Sequence, residues 1–245
     1  MDALSCAMTL AGPVGELGAR FYFDDATRSR AKELGLRSIE YYGLGRAGVM
    51  GDVEPAMVAA AFTFFSDAAI ERMYAVPRGR FSPSEAAAHY LATADAYAER
   101  VYGALDEALL ARVADAAFRV AAVVPEGRYL VFDGYRRFGR AGNAAASAYR
   151  GVILLRELRG GAHIDAVAES GLSPADAAYL EDPAIFSLHG YADEDRSDPA
   201  DAPERRSYAE DATSQVMAGF FAVLSEDERD ELVAGVAAMA DCPGD

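Results

Sequence analysis

The chain has no tryptophan, one lysine (Lys32), three histidines and two cysteines in 245 residues. Each scarcity excludes something. Cys6 and Cys242 stand near opposite ends and lack the short spacing of a zinc or redox pair, so a reducing, cytoplasmic setting is expected. His89, His163 and His189 have no histidine four residues away. Asp165 follows His163 by two, and residues two apart on a helix do not face each other. No metal site is therefore expected. The glycine-rich dinucleotide fingerprint, the P-loop, G-x-S-x-G and H-E-x-x-H are all missing, so no cofactor is expected. Long apolar runs are missing too. "VEPAMVAAAFTFF" (53–65) falls short of the roughly 18 residues a membrane span needs, so no membrane contact is expected. The opening "MDALSCAMTLAG" has no basic region and is not read as a signal peptide.

Positive charge is scarce as well. Lys and Arg number 23 against 39 Asp and Glu, a formal net charge of −16. That field repels a phosphate backbone, and no long basic run opposes it. Nucleic acid is disfavoured as a partner. An amine-bearing small molecule, free or carrier-bound, fits better, as does a partner enzyme. Solubility alone also accounts for an acidic surface.

What is present is helix. The sequence is 52% hydrophobic, and much of that is alanine. Start and stop signals recur. Asp24 caps a helix that ends at Gly35. Pro55 sits in the first turn of another. Ser82-Pro83-Ser84-Glu85 opens a long run that breaks near Gly103. Ser173 with Asp176, and Ser225 with Glu228, repeat the S-x-x-[DE] box. "GRYLVFDGYRRFG" reads as a loop or a helix start. "NAAASAYRGVILLREL" reads as a helix ending at Gly160-Gly161, followed by a separate short helix, "HIDAVAES". Residues 190–206 read as a polar loop. The expectation is an all-α, multi-helix bundle of ten or so helices, with an N-terminal half (1–125) and a C-terminal half (126–245) forming one compact unit. "GRAG" occurs at 45–48 and again at 139–142, a slight sign that the two halves are similar.

Two stretches carry a resemblance. The first runs "YFDDATRSRAKELGLRS…YYGLGRAGVMGDVEPAMVAAAFTFFS". The second runs "FGRAGNAA…LLRELRGGAHIDAVAESGLSPADA". Tyr22-Phe23, Gly45-Arg46-Ala47, Gly51-Asp52-Val53 and Arg159-Gly160-Gly161-Ala162-His163 stand where the pattern has its marked residues. Together they resemble a mostly uncharacterised, largely actinobacterial family described as helix-turn-helix-like, over roughly residues 17–240. The resemblance implies an all-α fold with a degenerate winged-helix second half, and no general activity. The chain departs from the pattern twice. The stretch after the Gly-Leu-Ser helix, residues 181–206, is shorter and acidic where the pattern has what resembles a recognition helix and a wing, and Tyr149 replaces a tryptophan.

Two clusters are candidates for chemistry. Arg46, Asp52 and Glu54 lie in a glycine-rich connection, where a carboxylate could act as a base. Helix capping explains the same acids without chemistry. Arg159 and His163 could hold an anion or donate a proton, or they could simply cap and fill a helix interface. Glu40 and Tyr41 precede the first Gly-Arg-Ala. Turned inward, Glu40 would be a buried acid of raised pKa; turned outward it would be solvated. The aromatic set Phe62, Phe64, Phe65, Tyr90, Tyr97, Phe118, Tyr129, Phe132, Tyr135 and Phe138 is expected mostly in the core, with some residues lining a cavity.

The leading functional expectation is a cofactor-independent enzyme of specialised, antibiotic-type metabolism, of the cyclase or lyase kind. Asp52, Glu54 and His163 would be catalytic, with Arg46, Arg159, Tyr41 and Glu40 binding substrate. Its reaction would be acid–base chemistry on an amine, such as substitution closing a small nitrogen ring or an elimination. The alternatives are a ligand-responsive transcriptional regulator with a degenerate winged helix, and a non-catalytic partner subunit.

Overall fold

In a computed structural model that describes residues 1–184 and 186–243, every regular element is helical and no strand occurs among the described residues. The α-helices are α1 (Ala3–Arg20), α2 (Asp25–Glu33), α3 (Ser38–Gly48), α4 (Pro55–Ala61), α5 (Asp67–Ile70), α6 (Val76–Arg78), α7 (Pro83–Tyr102), α8 (Glu107–Ala122), α9 (Leu130–Phe138), α10 (Ala144–Ser170), α11 (Pro174–Glu181), α12 (Ala202–Phe221) and α13 (Glu226–Ala240). A π-helical turn, Glu71–Ala75, joins α5 to α6.

The caps sit where the sequence puts them. Asp24, Ser82, Ser173 and Ser225 each accept a backbone N–H of the first turn that follows. One reading is resolved and one changes. Of loop and helix start, "YLVFDGYRRF" is the helix start: it forms α9 with Tyr129 at its N-cap, and Arg136 bonds both Asp133 and the Val124 carbonyl. The glycines Gly160-Gly161 do not end a helix: α10 runs unbroken for 27 residues. Two glycines cost about 2 kcal/mol of helix propensity. Packing offsets this at Gly161, where the Tyr129 ring lies so close that a Cβ would come within 2.5 Å of it.

Helix α10 is the axis of the molecule. Its first two-thirds bury residues on every side, from Ala145 to Leu158, which is the signature of a helix enclosed by others. It packs against α1, α7, α8, α9 and α12. One continuous core includes Leu10 and Leu17 of α1, Leu44 of α3, Tyr90 of α7, Val113 of α8, Ile153 of α10, Phe221 of α12 and Leu232 of α13. Tyr149 stands where the resemblance has a tryptophan. Its hydroxyl donates to the Leu17 carbonyl (2.9 Å), tying the end of α1 to α10.

The last third of α10 leaves this core and runs through a short turn into α11. Gly171 ends α10 in the left-handed conformation (φ 75°, ψ 15°), which a glycine adopts without strain. Leu172 is buried with Val167 of α10 and Ala202 and Ala209 of α12, Ser173 caps α11, and Ala175 and Ala178 pack with Phe186. Helix, three-residue turn and helix follow one another in the order of a helix-turn-helix. No described helix is long and apolar enough to cross a membrane.

Candidate functional site

The sequence-derived candidates do not gather into one site; they separate into three places. Asp52 and Glu54 lie on the surface, just before α4. Both pair with Arg78, at 3.2 Å and 3.3 Å, with side chains 64% and 81% exposed. Such pairs add little to stability and leave the carboxylates in water. Glu40 is covered, yet its pKa is lowered and not raised. Burial alone would push it up, but the Arg37 backbone N–H and guanidinium outweigh that, with Arg80 adding to them. Its cover is two solvated arginine side chains. Tyr41 is a core residue, its hydroxyl paired with Thr93 Oγ1 at 2.9 Å.

Arg159 and His163 share the α10–α12 interface. Arg159 Nη2 meets Glu210 Oε2 at 2.5 Å. His163 Nδ1 lies 3.0 Å from Thr213 Oγ1, and Nε2 lies 3.9 Å from Glu210. Burial lowers the His163 pKa below 6.5; Glu210 opposes the shift and Arg159 reinforces it. Arg159 also borders a cavity of about 10 Å³ between α1, α10 and α12, with Leu10, Leu155, Met217 and Phe221. That space is the size of one water.

Arg46 is different. Its guanidinium forms a two-point pair with Glu157 of α10: Nη2 to Oε2 at 2.7 Å and Nε to Oε1 at 3.1 Å. Arg156 Nη1 reaches the same Oε1 at 2.7 Å. Glu157 is 2% exposed, Arg46 13% and Arg156 24%, so the cluster is enclosed but opens outward at Arg156. Despite burial, which would raise it, the two guanidiniums hold the Glu157 pKa low. Glu157 is thus a fixed anion and not a proton donor.

Aromatic rings wall this cluster. Arg46 lies over Phe62 (4.4 Å to the ring centre) and donates to the Tyr42 hydroxyl at 3.1 Å. Arg156 lies over Tyr22 at 5.4 Å. Tyr22 stacks on Tyr90 at 6.0 Å. The buried hydroxyls of Tyr22, Tyr90 and Tyr135 have no hydrogen-bond partner among the described residues. Two glycines make the room. A Cβ at Gly45 would fall 2.5 Å from the Tyr90 ring, and one at Gly18 would fall 2.6 Å from the Arg156 stem.

Sequence reasoning found Arg46 and Tyr90 but missed Arg156, Glu157 and the role of Tyr22 and Tyr135. An Arg-Glu pair inside "LLRELR" reads as a solvated face. The available signal was that α10 is apolar on all sides there, so a charge in it must be paired inside.

The site and the helix-turn-helix are neighbours through one turn. Phe62 lies under Arg46, Phe64 contacts His163 (5.8 Å between rings), and Phe65 contacts both Tyr42 and His189. Helix α11 offers little for reading a nucleic acid. Only Pro174 and Glu181 on it are exposed, and it has no Arg, Lys, Asn or Gln. The nearby arginines are engaged within the protein: Arg205 with Gly171 O, Arg206 with Leu180 O and Glu181, and Arg196 over the Tyr179 ring. Asp176 is buried and accepts from Ser173, Ser197 and Asp198, fastening the acidic 193–198 segment beside α11. No group of three or more His, Cys, Asp or Glu that could hold a metal occurs among the described residues.

No curated protein and no solved structure matches the chain. A family model described as a helix-turn-helix family matches residues 7–197, which take in the buried cluster and the α10–α11 unit alike. The chain belongs to this helix-turn-helix family.

Proposed function

We propose that this protein is a small-molecule-binding, ligand-responsive member of its family, with a degenerate helix-turn-helix that serves as structure and not as a DNA reader. The observation that carries the proposal is the Arg46–Glu157–Arg156 cluster with three unpartnered tyrosine hydroxyls around it. Buried polar groups are normally satisfied, and Tyr22, Tyr90 and Tyr135 are three of the six described tyrosines whose buried hydroxyls are not. The Phe62–Phe65 turn joins that place to His163, so occupancy at the cluster bears on how α10 and α11 sit. Helix α11 and the net charge of −16 argue against the usual output of such a fold.

Two measurements test this. Native mass spectrometry of the protein isolated from its own cells should show a bound small molecule, lost on Arg46→Met. A mobility shift with the DNA upstream of its gene, at about 50 mM salt where phosphate contacts are strong, should show no sequence-dependent complex. A specific complex would make the protein a DNA-binding regulator. A protein with no guest that is also indifferent to Arg46→Met would remove the ligand role.

His163 favours a second reading, the cofactor-independent acid–base enzyme acting on an amine-bearing molecule. Its lowered pKa leaves a neutral imidazole at pH 7 beside Glu210, the state of a general base. In this reading His163→Ala abolishes turnover of a candidate substrate. Turnover that survives Asp52→Asn, Glu54→Gln and His163→Ala together discards it.

A further inference from the structure

The cluster carries two guanidiniums against one carboxylate, which leaves one positive charge in excess. Glu157 is fully engaged. Its Oε2 receives Arg46, and its Oε1 receives Arg46 and Arg156. Arg156 makes only that one hydrogen bond among the described residues, although a guanidinium carries five N–H donors. Tyr22, Tyr90 and Tyr135 add three hydroxyls with nothing to bond. Each can donate. Burial and the neighbouring phenols keep all three protonated, with pKa values pushed up. Arg46 acts electrostatically on all three, and Arg156 on Tyr22 and Tyr135.

Unused donors around an excess cation are the complement of an oxyanion. An ammonium group would meet two guanidiniums and find no free carboxylate. The charge of the whole surface and the charge of this interior point therefore have opposite signs, and at a buried site the local charge decides.

We infer that the Arg46–Arg156–Tyr22–Tyr90–Tyr135 cluster is an oxyanion site, taking the carboxylate, sulfate or phosphate group of a small molecule that enters past Arg156. Arg156 supplies the charge, the tyrosines supply neutral donors, and Glu157 holds both arginines in place. The inference rests on the ligand-binding reading above and adds the sign and class of the ligand.

The test uses the full chain, unfolded by heat and followed by circular dichroism at pH 7.5. Sodium sulfate, phosphate and acetate are titrated against sodium chloride at matched ionic strength, with methylammonium chloride as the cationic arm. Sulfate and phosphate stabilise most proteins by exclusion, without saturation. The expected result is a saturable rise in Tm for at least one oxyanion, and which one responds identifies the group. Tyr90→Phe and Tyr135→Phe remove only unpartnered hydroxyls, so both variants fold. Each should weaken the saturable response about tenfold, the size of a charge-assisted hydrogen bond. Arg156→Gln should abolish it. Titration curves that coincide in wild type and all three variants would mean solvent exclusion only and would overturn the oxyanion site. Saturable stabilisation by methylammonium alone would overturn the sign of the ligand and leave the ligand-binding reading standing. No saturable response to any probe would count against both.

Discussion

The residues that matter most are those whose charge or hydrogen bonding is enclosed. Arg46 and Glu157 form a buried two-point pair, and removing one partner strands the other in a low-dielectric interior. Glu157→Ala is expected to cost about 3–5 kcal/mol, read as a lower urea midpoint at unchanged slope. Asp52→Asn and Glu54→Gln, on solvated pairs with Arg78, should each stay within about 0.5 kcal/mol. The ranking tests the geometry, because sequence alone gives Asp52 and Glu54 as much claim to chemistry as Arg46. The two half-buried histidines near the turn set a pH dependence. Burial lowers the pKa of both His163 and His189 below 6.5. A base whose folded pKa is depressed binds its proton better when unfolded. Its contribution is therefore complete above about pH 6.5 and is lost as pH falls through the folded value. Urea midpoints measured from pH 7.5 to pH 5 should fall, and less steeply in His163→Gln. A midpoint that rises on acidification would contradict the burial of these rings.

At the scale of elements, capping chemistry was legible in the sequence and helix continuity was not. Serine, aspartate and proline act through bonds within one turn, so Asp24, Pro55, Ser82, Ser173 and Ser225 mark their helix starts without knowledge of the rest. Gly160-Gly161 reads as a stop because the reason for a glycine lies in another element. At Gly161 that reason is the Tyr129 ring. Gly160 has nothing within 4 Å of where its Cβ would be. The two positions should answer oppositely to the same change. Gly160→Ala should raise stability by about 0.4–1 kcal/mol, through better helix propensity and a less flexible unfolded chain. Gly161→Ala should lower it by about 1–3 kcal/mol through overpacking against Tyr129. Thermal unfolding of the two variants side by side checks this, and equal effects would mean that α10 and α9 do not meet there. The candidate site was half legible for the same reason. Arg46 stands out beside conspicuous glycines, whereas Glu157 gains its meaning only once α10 is enclosed on all sides.

At the scale of the whole molecule, helices of residues 1–125 pack against helices of residues 126–245. Helix α1 lies against α10, α12 and α13, and α8 against α10 and α13. Arg20 of α1 donates to the carbonyls of Ala240 and Cys242, and Arg229 of α13 donates to the Met1 carbonyl. The ion cluster itself is split, with Arg46 and Tyr22 from the first half and Arg156, Glu157 and Tyr135 from the second. Neither half can satisfy its buried charges alone, since Arg46 without Glu157 is an unpaired cation and Glu157 without Arg46 keeps only the partly exposed Arg156. The expected behaviour is one cooperative transition, with calorimetric and van't Hoff enthalpies in agreement. Residues 1–125 expressed separately should show no sigmoidal melt. Two resolved transitions in the intact chain would instead make the halves independent and would place the cluster at an interface that opens. On the proposed reading, the same split would give a ligand its leverage. A guest that ties Tyr22 and Tyr90 to Arg156 and Tyr135 holds the two halves together and stabilises the single folded state by mass action, so its effect should appear in that one transition and in no other.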